Sequence, residues 1–426
     1  MQRRVVITGL GVVAPNGIGK ENFWDACVSG RSGIRRVTYF DADLLPTRIA
    51  GEVPDFDPVA LGITAEEVRH TDRNTQFALA AANLALLDAG LPDQLNEAER
   101  DQIGVYVGSA MASITAAEQL WCQVTERGAH LPKDTMNGRV PVTLFLTHAP
   151  AVAIAAHYQL HGPCMVISTG CSSGGDAIGE AFWAIQEGQA ECMLAGGTDS
   201  AMSYAGFAAF CVLRAMSTRN EEPEQASCPY DRSRDGFVMA EGAGVLLLEE
   251  RERALARNAH IYAEMIAFAS NSNSHHMTAL PPDGAPLQRL LRQALAEADI
   301  TSAQLGYINS HGSSTPTNEV SETAAYKAVF GEQAYRIPIS ATKSMIGHTQ
   351  GAASAIETVV TALVLDRQVI PPTINQAYPD PLCDLDYVPN VARRAAIEVA
   401  LTHSSGFGGV NNVLILSRED WRNRQS

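Results

Sequence analysis

The strongest constraint in this 426-residue chain is a pattern that occurs twice. A short apolar run leads into a turn of small residues and then an alanine-rich segment: MVISTGCSSGGDAIGEAFWAI over 165–185 and IPISATKSMIGHTQGAASAIETVV over 337–360. A second pair has the same shape, IGVYVGSAMASITAAEQLW over 103–121 and LGYINSHGSSTPTNEVSETAAYKAVF over 305–330. Units of this kind, strand then turn then helix, specify an α/β protein. The pairing fits a duplicated half-domain, and it equally fits the ordinary likeness of α/β units to one another.

The spacing predicts strands at Arg4–Thr8, Ile103–Val107, Met165–Ser168, Glu191–Ala195, Gly244–Leu248, Gly306–Asn309, Ile337–Ser340 and Asn412–Leu416. Several are continuous apolar runs, as strands covered on both faces require. Helices are expected at Gln76–Ala89, Asp176–Glu187, Leu287–Glu297, Glu319–Phe330 and Ala352–Leu365. No Gly/Ser/Pro linker divides the chain, so one intertwined unit is expected.

Composition excludes several classes. Hydrophobic residues are 46% and charged residues 18%, the opposite of a disordered chain. The net charge of −16 argues against a protein that binds nucleic acid in bulk, and an acidic partner would need a local basic patch. No apolar run reaches the length of a membrane span, and the N-terminal MQRRVVITGLGVV is too short and glycine-broken for a signal peptide. The eight cysteines form no C-x-x-C pair, which fits reduced thiols in a cytoplasmic protein.

Five short segments carry chemistry-bearing residues. Gly170-Cys171-Ser172-Ser173-Gly174 follows an apolar strand and opens a helix. Such a turn presents one side chain at a helix N-terminus, where the dipole favours a thiolate. Cys171 and Ser172 compete as the nucleophile, Ser172 through its G-x-S-x-G context; a structural cysteine in a tight turn is the alternative. His311 ends a strand at Asn309-Ser310-His311-Gly312. Lys343 and His348 lie in Lys343-Ser344-Met345-Ile346-Gly347-His348, where a lysine in an apolar turn needs an anionic partner and Glu357 is the candidate. Gly406-Phe407-Gly408-Gly409 allows close approach of backbone N–H groups to a ligand. Gly9-Leu10-Gly11 fits a dinucleotide fingerprint, but Pro15-Asn16-Gly17 prevents the helix that such a site needs. His275-His276 lack ligand spacing, and no metal site is expected.

These features, in this order, resemble the β-ketoacyl–acyl-carrier-protein synthases, the decarboxylating ketosynthases of the thiolase superfamily. The resemblance runs through VVITGLGVVAPNG, GCSSGGDAIGEA, AGGTDS, STRN, PYDRSRDGFVMAEGAGVLLLEE, HGSSTPTNE, TKSMIGHTQGAASAIET, PPTIN and GFGGVNN. It implies a duplicated, five-layer αβαβα fold, usually dimeric, with halves at 1–256 and 257–426. It implies Cys171 as the acyl-accepting nucleophile, His311 and His348 as the histidine pair, and Lys343, Glu357 and Phe407 in support. Phe210 and Phe407 would line or gate the acyl pocket. No cofactor is implied; acyl groups would arrive on the phosphopantetheine of a separate acyl carrier protein. Arg69, Arg73, Lys133, Arg139 and Arg214 are candidate contacts to that acidic partner. Two departures stand out: Gly170, where the family usually has alanine and which would loosen the turn, and Ser313, where it usually has threonine. The segment near Val140–His148 does not match the fatty-acid enzymes closely, which favours a polyketide or polyene role. The resemblance leaves open a homodimer or a heterodimer with a chain-length-factor-like subunit. A serine hydrolase using Ser172 and a thiolase using Cys383 are the weaker alternatives.

Overall fold

The computed structural model describes residues 3–91, 95–130 and 146–424. Ten strands and six helices position the site: β1 (Val5–Ala14), α1 (Arg73–Asp88), β2 (Ile103–Gly108), α2 (Ala149–Tyr158), β3 (Cys164–Ile167), α3 (Ser173–Gln186), β4 (Cys192–Asp199), β5 (Gly242–Glu250), β6 (Ala263–Ser272), α4 (Ala285–Ala298), β7 (Tyr307–Asn309), α5 (Asn318–Phe330), β8 (Ile339–Ser340), α6 (Ala353–Arg367), β9 (Val399–Ser405) and β10 (Val410–Ser417).

The strand order is β8-β7-β9-β10-β6-β1-β5-β4-β2-β3, with the short strand Gly17–Ile18 hairpinned onto β1. Two five-stranded halves meet where β1 pairs antiparallel with β6 over Val5–Ile7. Within each half the third strand in sequence pairs parallel with the second, and the second pairs parallel with the fourth. The fourth then pairs antiparallel with the fifth, and the fifth with the first. The halves therefore repeat one topology. β3 corresponds to β8 and β2 to β7, the two pairs whose sequences echo each other.

Alternation along the strands explains the layers. In β5, Leu246 and Leu248 face a central cluster with α3 and α6, while Val245 and Leu247 face α1 and α2. In β10, Leu414 and Leu416 face the centre, while Val413 and Ile415 face α4 and α5. Strands buried on both faces read as unbroken apolar runs. The outcome is helix, sheet, helix, sheet, helix.

Two expectations change here. β1 runs on through Gly9-Leu10-Gly11 to Ala14 instead of stopping at Thr8. Its glycines serve packing: a Cβ on Gly11 would lie 1.8 Å from the Ala81 carbonyl oxygen of α1, and one on Gly9 would lie 2.2 Å from that of Ala85. α1 starts at Arg73 rather than Gln76, because Asp72 accepts the Thr75 N–H and caps the helix. β6 and β9 are strands that the sequence patterning did not mark.

Candidate active site

The turn after β3 sets the first group. Gly170 has φ of 65°, the left-handed region that glycine enters without a Cβ penalty, and a Cβ there would sit 3.0 Å from the Phe407 carbonyl oxygen. Ser173 closes the turn, its hydroxyl donating to Gly170 O at 2.6 Å and accepting from the Thr169 N–H at 2.9 Å. Gly170 thus fits the turn instead of loosening it. Cys171 follows, just before α3, and is 7% exposed. Burial pushes its thiol up to about 11, while the N–H of Phe407, the charge of Lys343 and its own N–H pull in the opposite direction. Backbone donors from two loops therefore meet at this sulfur.

Ser172 cannot take that place. Its side chain is fully buried, and its hydroxyl donates to Val410 O at 2.9 Å.

The second and third groups come from the other half. His311 follows β7 and His348 follows the turn after β8, and their ring centroids lie 5.4 Å apart. The N–H of Gln350 donates to Nδ1 of His348 at 3.1 Å, so the neutral ring carries its proton on Nε2. Nδ1 of His311 has Lys343 Nζ at 3.5 Å, an ammonium that can only donate and so leaves the ring proton on Nε2, and the Ser404 hydroxyl lies 3.3 Å away. Burial holds both imidazoles well below the usual histidine range, and Lys343 adds to this. The two rings are neutral N–H donors.

Lys343 lies behind them, essentially without solvent access. Its ammonium donates to the His311 carbonyl oxygen at 2.8 Å and pairs with Glu357 on α6. Burial pushes the Glu357 carboxyl up to about 7 against the pull of that lysine. Asp199, at the end of β4, accepts N–H bonds from Ala110 at 2.9 Å, Met111 at 3.0 Å and Gly351 at 2.6 Å. It ties the loop after β2 to the loop after His348.

Cys171, His311, His348 and Phe407 line one cavity of about 260 Å3, with Phe237 and Arg214 also on its wall. Phe210 is not on this wall; it stacks on Phe407 with centroids 6.4 Å apart and meets Phe237 at 5.7 Å. Phe237 also meets the His348 ring edge-on at 5.4 Å. Sequence reasoning missed Phe237, Ser404 and Gln350; Phe237 sits inside the quoted PYDRSRDGFV segment, the only signal available for it.

Of the basic docking candidates, Arg214 is exposed at the cavity mouth. Arg69 is exposed on a separate cleft. Arg73 is corrected: its guanidinium is committed to Glu241 at 2.9 Å and stacks over Phe77 at 4.6 Å, so it is no free surface charge. Lys133, Arg139 and residues 140–145 lie outside the described residues. Cys383 is buried in the outer core beside α5, away from the cavity. His276 caps its own loop, Nδ1 accepting from the N–H groups of Thr278 and Ala279 at 3.1 and 3.2 Å.

Residues 2–254 match the family described as "Beta-ketoacyl synthase, N-terminal domain", and residues 262–377 match its C-terminal domain. The chain is 44% identical, over the full length of both proteins, to a putative polyketide beta-ketoacyl synthase 1 of Streptomyces cyaneus. It is 42% identical to the 3-oxoacyl-[acyl-carrier-protein] synthase 2 of Coxiella burnetii, across 98% of this chain and 99% of the other. A solved type II polyketide synthase acyl-carrier protein in complex with its ketosynthase, bound to the hexaketide, superposes with a TM-score of 0.90 at 37% identity, covering 98% of this chain and 100% of that one. The ishigamide ketosynthase/chain length factor superposes with a TM-score of 0.87 at 32% identity, covering 98% of this chain and 100% of that chain.

Proposed function

The chain belongs to the β-ketoacyl synthase family, and from that premise we propose that it joins an acyl group held on Cys171 to a malonyl unit by decarboxylative condensation. The observation that carries the reading is convergence: a thiol from one half and two imidazole N–H donors from the other share a single cavity.

Loading comes first. The sulfur of Cys171 attacks the carbonyl of an acyl thioester, and the N–H groups of Cys171 and Phe407 hold the oxyanion. The carrier thiolate leaves with the proton lost by Cys171. Neither histidine offers an Nε2 lone pair to the thiol, so the helix N-terminus and these N–H groups favour the thiolate.

Condensation follows. The bond from the malonyl α-carbon to its carboxylate breaks, CO2 departs, and the electron pair becomes an enolate. Nε2–H of His311 and of His348 stabilise its oxygen; each such donor is worth about 10²-fold or more in rate. The α-carbon bonds to the acyl carbon, the tetrahedral oxyanion collapses, and the Cys171 thiolate is released. Lys343 keeps His311 oriented and neutral, with Glu357 balancing its charge in the buried site.

The polyketide-type relatives favour a type II polyketide or polyene pathway over fatty-acid synthesis. We assign acyl groups carried on the phosphopantetheine of a separate acidic carrier protein, no cofactor of the enzyme's own, and a cytoplasmic location; no helix among the described residues is long and apolar enough to cross a membrane. Halves divided at 256 and 257 belong to the same reading. Arg214 at the mouth is the docking charge, and carrier binding should weaken in high salt. Among the described residues β3 ends the sheet with Cys164 and Met165 exposed, and there a second ketosynthase-like chain, identical or a chain-length factor, would extend the sheet.

The test is direct. Intact-mass analysis should show acylation that Cys171→Ala abolishes, and His311→Ala should load acyl groups while failing to release CO2 from malonyl thioester. An acylated Cys171→Ala protein would end the reading.

A further inference from the structure

His403 is a third buried histidine, next in sequence to Ser404. Side chains alternate along a strand, and on β9 these two neighbours serve opposite faces. Ser404 points to the centre, reaching Cys171 O and His311 Nδ1. His403 points outward to α5, where its Nε2 meets the Tyr326 hydroxyl, Glu322 Oε2 at 3.3 Å and the backbone N–H of His311 at 3.5 Å. Its ring is 1% exposed, and its Nδ1 has no hydrogen-bond partner among the described residues.

The same cluster grips the chain on both sides of His311. Glu322 accepts the Gly312 N–H at 3.2 Å and the Tyr230 hydroxyl at 2.7 Å. Tyr230 in turn reaches the Ser310 hydroxyl at 2.6 Å. Residues 310, 311 and 312 are thus each tied to one buried network. Direction is fixed by the same contacts. An Nε2 that accepts the His311 N–H has no proton to give Glu322, so His403 holds the main chain of His311 by accepting from it, while Glu322 is held by the Gly312 N–H, the Tyr230 hydroxyl and the Asn318 amide at 3.3 Å.

We infer that His403 is a positioning residue for decarboxylation, fixing the His311 main chain so that Nε2–H is aimed into the cavity. The inference rests on the role given to His311 above. Loading does not depend on it, because the side-chain contacts of His403 are with His311 N, Tyr326 and Glu322 and none is with the N–H groups of Cys171 or Phe407.

The experiment compares His403→Leu, His403→Gln, Tyr326→Phe and His311→Ala in two assays on the intact enzyme. One is acylation of Cys171 by an acyl thioester, followed by mass; the other is CO2 release from malonyl thioester. His403→Leu should load within about threefold of wild type while kcat for CO2 release drops about tenfold or more with KM unchanged, since small misplacements of a catalytic group cost up to about 10²-fold. His403→Gln, whose amide reaches the place of Nε2, should regain most of that loss. Tyr326→Phe should show the same split in milder form, and it decides the matter should His403→Leu not fold. Wild-type CO2 release in the folded Leu variant, or in Tyr326→Phe where the Leu variant does not fold, overturns the inference. Equal loss of both activities, or no recovery with Gln, overturns it too. His311→Ala separates the two readings. Normal CO2 release there removes His311 from its role, whereas loss there without loss in His403→Leu removes only the positioning role.

Discussion

The hydroxyl of Ser404 lies 3.1 Å from the carbonyl oxygen of Cys171 and 3.3 Å from Nδ1 of His311, so a single side chain touches the nucleophile's backbone and the histidine of the opposite half. A hydroxyl has one proton and serves one of these acceptors at a time. Ser354 also reaches Cys171 O, at 3.3 Å, so the carbonyl keeps a donor when Ser404 turns to His311. Ser404→Ala should therefore cost the histidine more than the cysteine. Losing one neutral hydrogen bond is worth about 1 kcal/mol, or about fivefold in rate. CO2 release should fall by about that factor while acylation of Cys171 stays within twofold, as single-turnover assays would show; a larger loss in acylation would contradict the arrangement.

The thiol of Cys171, pushed up to about 11 by burial, gives a second prediction. Below that value the thiolate fraction, and with it the rate of alkylation, rises about tenfold per pH unit. Peptide mass mapping after iodoacetamide treatment should show this slope at Cys171 across about pH 7 to 9. A plateau below about pH 8 would mean a thiolate already formed, and a histidine or lysine acting on the sulfur directly.

Much of this was legible in the sequence. β4, β5 and β10 are continuous apolar runs because both faces are covered, and the two echoing pairs proved to be β3 with β8 and β2 with β7. β9 escaped because VALTHSS turns its polar residues, Thr402, His403, Ser404 and Ser405, toward the site and the buried network behind it. Arg73 was misread for a related reason. Its partner Glu241 lies 168 residues away, and nothing local distinguishes a committed arginine from a solvated one. Convergence of Cys171 with His311 followed from the family resemblance; the tautomers that make both rings donors came only from Gln350 and Lys343 in three dimensions.

The Lys343–Glu357 pair is buried on both sides. Removing one partner of such a pair costs about 3–5 kcal/mol, because a charge is left unpaired. In Lys343→Met, Glu357 escapes that state by keeping its proton. A carboxyl whose folded-state pKa lies above its usual 4.5 contributes stability that is full below 4.5 and fades as pH rises toward the folded value. The deficit of Lys343→Met should therefore widen between about pH 5 and 8 in urea titrations. Adding Glu357→Gln should flatten that dependence and recover most of the loss. A pH-independent deficit in the single variant would show that Glu357 stays ionised without its lysine.

Acid should act on the fold through the same site, with the opposite sign. His311 and His348 are held well below the usual 6.5, chiefly by burial, so the folded state refuses protons that the unfolded chain accepts. Depressed groups contribute stability that is present above 6.5 and is lost as pH falls below it toward their folded values. Each contributes a slope that approaches about 1.4 kcal/mol per pH unit once the unfolded histidine is fully protonated, and with that histidine half protonated at 6.5 the pair gives up to about 2 kcal/mol between pH 6.5 and 5.5. Urea midpoints of the wild type should fall steeply over that unit. The double variant His311→Gln/His348→Gln, which keeps an N–H donor in each place but cannot titrate, should lose most of the slope. Parallel acid curves for the two proteins would show that the imidazoles take up protons in the folded state, and would remove the neutral donors on which enolate stabilisation depends.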